Sequence, residues 1–226
     1  MVIGTTTAAQ VTADLRRRIL LGELVPGQRL KIDEIASLCG VSHMPVRTAL
    51  QELEAEGVLL VHPRRGAEIR MVDADYITSM LDVRGAIEAM LAGKCAALAT
   101  AAEIEQIEQL AREFEQRADE DDATALLRAN FRLHSFINAV PRNAEAIHTL
   151  NRGRLLIETL RMRFGYGGAR LGDLVREHRE IVAAIARRDV AMARAVAQEH
   201  CDHARDELLR LVGSEDRPDQ EQTADR

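Results

Sequence analysis

Four side chains in the C-terminal part of the sequence carry donor atoms suited to a borderline divalent ion. Asn130 and His134, in LLRANFRLHSFI, are spaced i, i+4, so on a helix both stand on one face. His178 lies in VREHREIV and His200 in VAQEHCDH. If the helices bearing them pack antiparallel across a short turn, the two imidazoles arrive at the same level. Three imidazoles and one amide oxygen suit Zn²⁺, with Ni²⁺ and Mn²⁺ as competitors. A histidine on an amphipathic helix is more often a surface or satisfied core residue, and His148 and His203 are read that way. An open coordination position could also activate water and make the chain a metal-dependent hydrolase. Against that, no HExxH helix is present. Glu177 adjoins His178 and so faces away from it, which makes it a poor general base.

A second set of polar residues lies in GVSHMPVRTALQELEAEGVL, residues 40–59. Ser42 suits a helix N-cap, and Pro45 falls in the first turn, where its missing N–H costs little. Val46, Leu50 and Leu53 then share an inner face, and His43, Met44, Arg47, Thr48 and Gln51 an outer one. Hydroxyls such as Ser42 and Thr48 can donate to phosphate. Arg47 can pair with phosphate or with guanine O6 and N7, and His43 can donate to a base edge or a phosphate. The following VLLVHPRRGAEIRMV reads as a hairpin turning at Pro63-Arg64-Arg65-Gly66. Arg64 and Arg65 at its tip suit the minor groove or its phosphates, His62 could touch DNA from the same wing, and Gly66 permits close backbone approach.

The elements that would position these residues follow from apolar spacing. Val11, Leu15 and Ile19 mark one face of a first helix, which Gly22 and Pro26-Gly27 end. KIDEIASLCG is a short helix with Ile32, Ile35, Ala36 and Leu38 inward, and Gly40 suits its left-handed C-terminal position. From Asp73 onward only helical periodicity remains, in six helices near 74–100, 103–119, 122–139, 143–165, 170–187 and 189–212. The fold class is mainly α. Residues 8–72 form a winged helix-turn-helix with a small β-hairpin wing, and 73–212 an all-α antiparallel helical bundle. The charged tail 213–226 lacks apolar anchors and is expected to be disordered.

Composition fits this division. Hydrophobic residues make up 46% of the 226, enough for a core, while aromatics are 3%. No apolar run nears the roughly 20 residues of a membrane span. With no export signal and no CxxC pair, the three cysteines read as reduced thiols of a cytoplasmic protein. The net charge of -6 is uneven: residues 1–70 hold nine Arg and Lys against eight Asp and Glu, the remainder 21 against 28. A basic surface near the N-terminus is therefore compatible with an acidic whole.

The N-terminal motifs resemble those of the GntR family of bacterial transcription regulators. Gly22, Leu24, Pro26, Gly27 and Leu30 fit its turn, and Val41, Ser42, Pro45, Val46, Arg47, Ala49, Leu50, Leu53, Glu56 and Gly57 its reading helix. Arg64-Arg65-Gly66-Ala67 fit its wing. LDVRGAIEAMLAGKCAALAT, N-x-x-x-H and EHREIVAAIARRDVAMARAVAQEH resemble the FCD ligand-binding domain of the FadR subfamily. The resemblance implies a homodimeric repressor on a palindromic operator, released or recruited by a small carboxylate effector. It assigns operator contacts to Ser42, His43, Met44, Arg47, Thr48, Arg64, Arg65 and Gly66, metal ligation to Asn130, His134, His178 and His200, and effector binding to Arg84. Three positions depart from the common pattern: His43 stands for Arg, Met44 for Thr, and Asn130 for Asp. A neutral amide is a weaker ligand than a carboxylate. The alternative for Arg84 is a structural ion pair with Glu88, four residues on.

Overall fold

A computed structural model describes residues 6–63, 65–120, 122–166 and 168–215. Arg64 of the expected wing tip and residues 216–226 of the expected tail lie outside the described residues. The chain divides into two compact units: one of residues up to Val72 plus His148–Arg163, the other of Asp73–Ile147 and the chain from Phe164 on.

In the first unit, α1 (Thr7–Leu20) is capped by the Thr6 hydroxyl, which accepts from the Ala9 N–H at 3.2 Å. It buries Val11, Leu15 and Ile19. Thr12 lies on the same buried face and is satisfied by Glu52, at 2.6 Å. The short β1 (Arg29–Leu30) precedes α2 (Ile32–Cys39) and α3 (His43–Ala55). Gly40 closes α2 at φ 65°, the left-handed conformation that favours glycine. Leu38, expected inward, is 61% exposed: a two-turn helix buries a narrow stripe, which Ile35 and Ala36 fill. β2 (Leu59–His62) and β3 (Gly66–Ile69) form the expected hairpin, Leu59 opposite Ile69 and His62 opposite Gly66. β1 adds a third antiparallel strand, in the order β1-β3-β2. Gly66 is required there. Its φ is 88°, and a Cβ would overlap the Leu30 carbonyl oxygen across the ladder.

Residues expected to form one helix over 143–165 instead form α7 (Ala144–Asn151) and α8 (Arg154–Phe164). The break is at Gly153, at φ 70°, whose N–H donates to the Glu56 carbonyl at the end of α3 at 2.6 Å. α8 buries Leu156 and Leu160, and the Thr159 hydroxyl reaches the Ile19 carbonyl at 3.4 Å. The first unit is thus a winged helix-turn-helix to which a later helix has been added.

The second unit is built on α4 (Ala74–Leu98), α5 (Ala101–Ala118), α6 (Ala123–Ala139), α9 (Gly168–Ala186) and α10 (Val190–Glu215). Asp73 caps α4, Asp122 caps α6, and Thr100 with Glu103 forms a reciprocal capping box on α5. Cys95, Ala96, Ile107, Leu133, Ile185 and Ala193 lie among its buried core residues. Small residues let α4 and α10 approach closely: a Cβ on Gly93 would overlap the Arg194 side chain. α9 and α10 are joined through Arg188, at φ 56°. α10 continues through Glu215, past the expected end at 212.

Candidate DNA-reading surface and metal centre

The outer face of α3 is as the spacing predicts: His43, Met44, Arg47, Thr48 and Gln51 are exposed, while Val46, Ala49, Leu50 and Leu53 are buried. Ser42 occupies the N-cap position, but its side chain makes no capping hydrogen bond. The Thr48 hydroxyl donates back to the Met44 carbonyl at 3.2 Å. His43 Nε2 sits 3.1 Å from Asp33 Oδ1 on α2, so this imidazole is already engaged by a carboxylate.

Charge pairing sorts the cations of this unit. Arg16 is held by Glu56, Arg17 and Arg18 by Asp14 and Glu23, and Lys31 by Glu34. Arg47 and Arg65 are exposed and make no ion pair among the described residues. Cations without an ion pair among the described residues thus include one on the reading helix and one at the wing, where Gly66 begins β3; the exposed Arg152, beside Gly153, is another.

In the second unit, α6, α9 and α10 bring His134, His178 and His200 together. Their candidate donor nitrogens all lie within 4.8 Å of one another, and His134 Nε2 is 3.0 Å from His178 Nε2. His178 and His200 are 2% and 7% exposed. Asn130 Oδ1, one turn before His134, and His178 Nδ1 are buried with no hydrogen-bond partner among the described residues. Burial pushes the His178 pKa well below its ordinary value, helped by the neighbouring imidazoles. Burial also lowers that of His200, against the opposing pull of Glu177. Both rings are thereby kept neutral, the form that ligates metal.

Two carboxylates stand behind these rings. Glu177 Oε2 lies 2.8 Å from His200 Nδ1 and its Oε1 2.8 Å from His203 Nδ1, while Arg170 grips both oxygens. Burial alone would raise the Glu177 pKa, but His200 and Arg170 overcome it and bring it to about 2. Glu88 Oε2 lies 3.5 Å from His134 Nδ1. Burial is outweighed there too, by Arg84 and His134, and Glu88 is held well below the carboxylate range. With Nδ1 engaged, Nε2 is the free nitrogen of His200, the arrangement by which carboxylates orient metal-bound imidazoles. Beside the cluster is a cavity with room for about one water molecule, walled by Glu88, His134, His200 and Asn138 against Ile137 and Ile181.

Comparison with known proteins places each part of the chain in a known domain family. A family profile described as "Bacterial regulatory proteins, gntR family" matches residues 7–69, and one described as "FCD domain" matches 79–203. The chain belongs to the GntR family and carries an FCD domain. It is a transcriptional regulator. Among its relatives, the HTH-type transcriptional regulator YdhC of Bacillus subtilis is 25% identical over 88% of this chain and 89% of its own. The probable D-xylose utilization operon transcriptional repressor of Paenarthrobacter nicotinovorans is 26% identical over 87% and 86%. Escherichia coli McbR/YncC shares the fold, with TM-score 0.76 at 19% identity over 92% of this chain and 99% of that one.

Of the four expected ligands the structure gathers His134, His178 and His200, with Asn130 one turn before His134 on α6, and behind them stands a shell that the sequence reading missed. Glu177 was judged along its own helix, where it does face away from His178. Its carboxylate serves a histidine of α10 instead. The Arg170/Glu177 pair at i, i+7 was the available signal. Arg84 makes the ion pair weighed as its alternative, 2.7 Å from Glu88, and the cavity wall includes Glu88 but not Arg84. Cys201 was not singled out either; its thiol donates to Glu88 at 3.4 Å.

Proposed function

We propose that this regulator represses transcription by binding a palindromic operator as a homodimer, one α3 in the major groove of each half-site. Ser42, His43, Met44, Arg47 and Thr48 would face the groove, and Arg64, Arg65 and Gly66 the adjoining backbone or minor groove. The ion-pair-free state of Arg47 and Arg65 supports this docking. Repression is also what the names of two relatives state of those proteins, the xylose-operon regulator and RspR of Escherichia coli. Among the described residues no helix is long and apolar enough to cross a membrane, and we place the protein in the cytoplasm, with the DNA.

We infer further that the FCD domain holds a divalent ion, Zn²⁺ first, through Asn130, His134, His178 and His200. The observation that carries this is the meeting of three imidazoles from α6, α9 and α10, two of them buried, with the buried Asn130 Oδ1 unpartnered among the described residues one turn from His134. An unpartnered buried polar atom is uncommon in native interiors and costs about 1–3 kcal/mol. A bound ion would supply a Lewis-acid anchor for an effector carboxylate. Arg84 becomes available to that carboxylate only by exchanging Glu88 for it. The effector shifts operator affinity by binding the two DNA-affinity states unequally. The hydrolase reading has less support. Both Glu177 oxygens are engaged and the group is held near pKa 2, too weak a base to deprotonate water.

The test is the divalent-metal content of the purified full-length chain, beside the double variant His134→Ala/His178→Ala. About one ion per chain in the first and none in the second is expected. No ion in either, after metal is supplied, would refute the centre and leave the DNA reading to stand on operator binding.

A further inference from the structure

Met44 is the most exposed large hydrophobic side chain among the described residues, at 68%, and it stands in the first turn of the reading helix. An exposed apolar side chain is ordinary by itself. Its neighbours give this one a meaning. His43 is engaged by Asp33, and the Thr48 hydroxyl is returned to the Met44 carbonyl. Arg47, one turn on, has no ion-pair partner among the described residues. The N-terminal half of this face therefore presents an unengaged cation beside a flexible thioether.

A methionine offers a base edge no strong donor or acceptor. In the major groove the apolar feature is the C5-methyl of thymine, which sets T·A apart from C·G at that edge. We propose that Met44 reads a thymine methyl group in each operator half-site, with Arg47 anchoring the helix alongside. This rests on the docking of α3 in the major groove and adds to it the kind of base the first turn selects. Burying one methyl against the thioether contributes about fourfold in affinity per half-site, and about fifteenfold for two.

The experiment uses the full-length chain and an operator selected by it from a random duplex library. Each thymine is replaced in turn by uracil, which removes the C5-methyl and leaves the hydrogen-bonding edge unchanged. At one thymine per half-site the wild type should lose about fourfold, and that loss should vanish in Met44→Ala and persist in Met44→Leu. Because Met44 is mostly solvent-exposed, these variants keep the fold. Arg47→Ala should abolish binding to thymine and uracil operators alike. Wild-type binding indifferent to uracil at every position would overturn the proposal, as would a Met44→Ala variant with undiminished methyl preference. In both cases operator binding itself would leave the docking of α3 intact. A wild-type chain that selects no sequence would overturn the docking, and the methyl reading with it.

Discussion

Replacing Glu177 by Gln tests the centre from behind. The carboxylate accepts from His200 Nδ1 and His203 Nδ1 at 2.8 Å and from both ends of Arg170, while itself 6% exposed. An amide has one acceptor oxygen in place of two and no charge. His200 would lose the anion that orients its ring and strengthens Nε2 as a donor. Changes of this kind weaken metal affinity by about 10–100-fold, or about 1.4–2.8 kcal/mol. A separate cost falls on folding, because Arg170 loses a buried countercharge. Removing one partner of a buried pair typically costs about 3–5 kcal/mol. Glu207, 3.4 Å from Arg170 Nε, keeps the loss here toward or below the lower end. Two assays separate the effects: competition for Zn²⁺ against a chromophoric chelator, and urea unfolding of the metal-free protein. Glu177→Asp, which keeps the charge, should fall between wild type and Gln in both. A folded Glu177→Gln variant with wild-type zinc affinity would refute the outer-shell role.

Other consequences are read more simply. Arg47→Ala should abolish operator binding in a gel-shift titration while leaving helical content by circular dichroism unchanged; normal binding would mean that α3 is not the reading helix. Arg65→Ala should reduce the slope of log affinity against log salt by about one, the signature of a lost phosphate contact, and an unchanged slope would remove the wing from the interface. Gly66→Ala meets both a positive φ and the Leu30 carbonyl, so the winged unit should lose at least about 1–2 kcal/mol in urea unfolding. Native alkylation should modify Cys39 and spare both Cys201 and Cys95, whose pKa burial pushes up to about 12; rapid labelling of Cys95 would contradict its place in the core.

What could be read from the sequence was whatever one element decides alone. Apolar spacing and Gly40 fix the faces and start of α3, and an i, i+4 step puts Asn130 and His134 on one side of α6. The antiparallel return at Arg188 brings His178 and His200 level because the turn is too short for another path. What escaped depends on a second element. Leu38 has helical spacing, yet nothing covers it. β1 is two residues long, too short to show a strand period. Gly153 looks like a tolerated glycine until the Glu56 carbonyl claims its N–H. Glu177 shows its role only once α10 lies alongside α9.

The membership of residues 148–163 in the winged unit bears on how the molecule is made. Synthesis proceeds from the N-terminus, and domains generally fold as they emerge. This one cannot be completed when Val72 leaves the ribosome, because the segment that contributes the buried Leu156 and ties Gly153 to Glu56 has yet to be translated. Until residue 163 is free of the exit tunnel, the nascent reading head lacks part of its own core. A gene fragment ending at residue 72 would encode the whole helix-turn-helix and wing, and still less than the unit in which they fold.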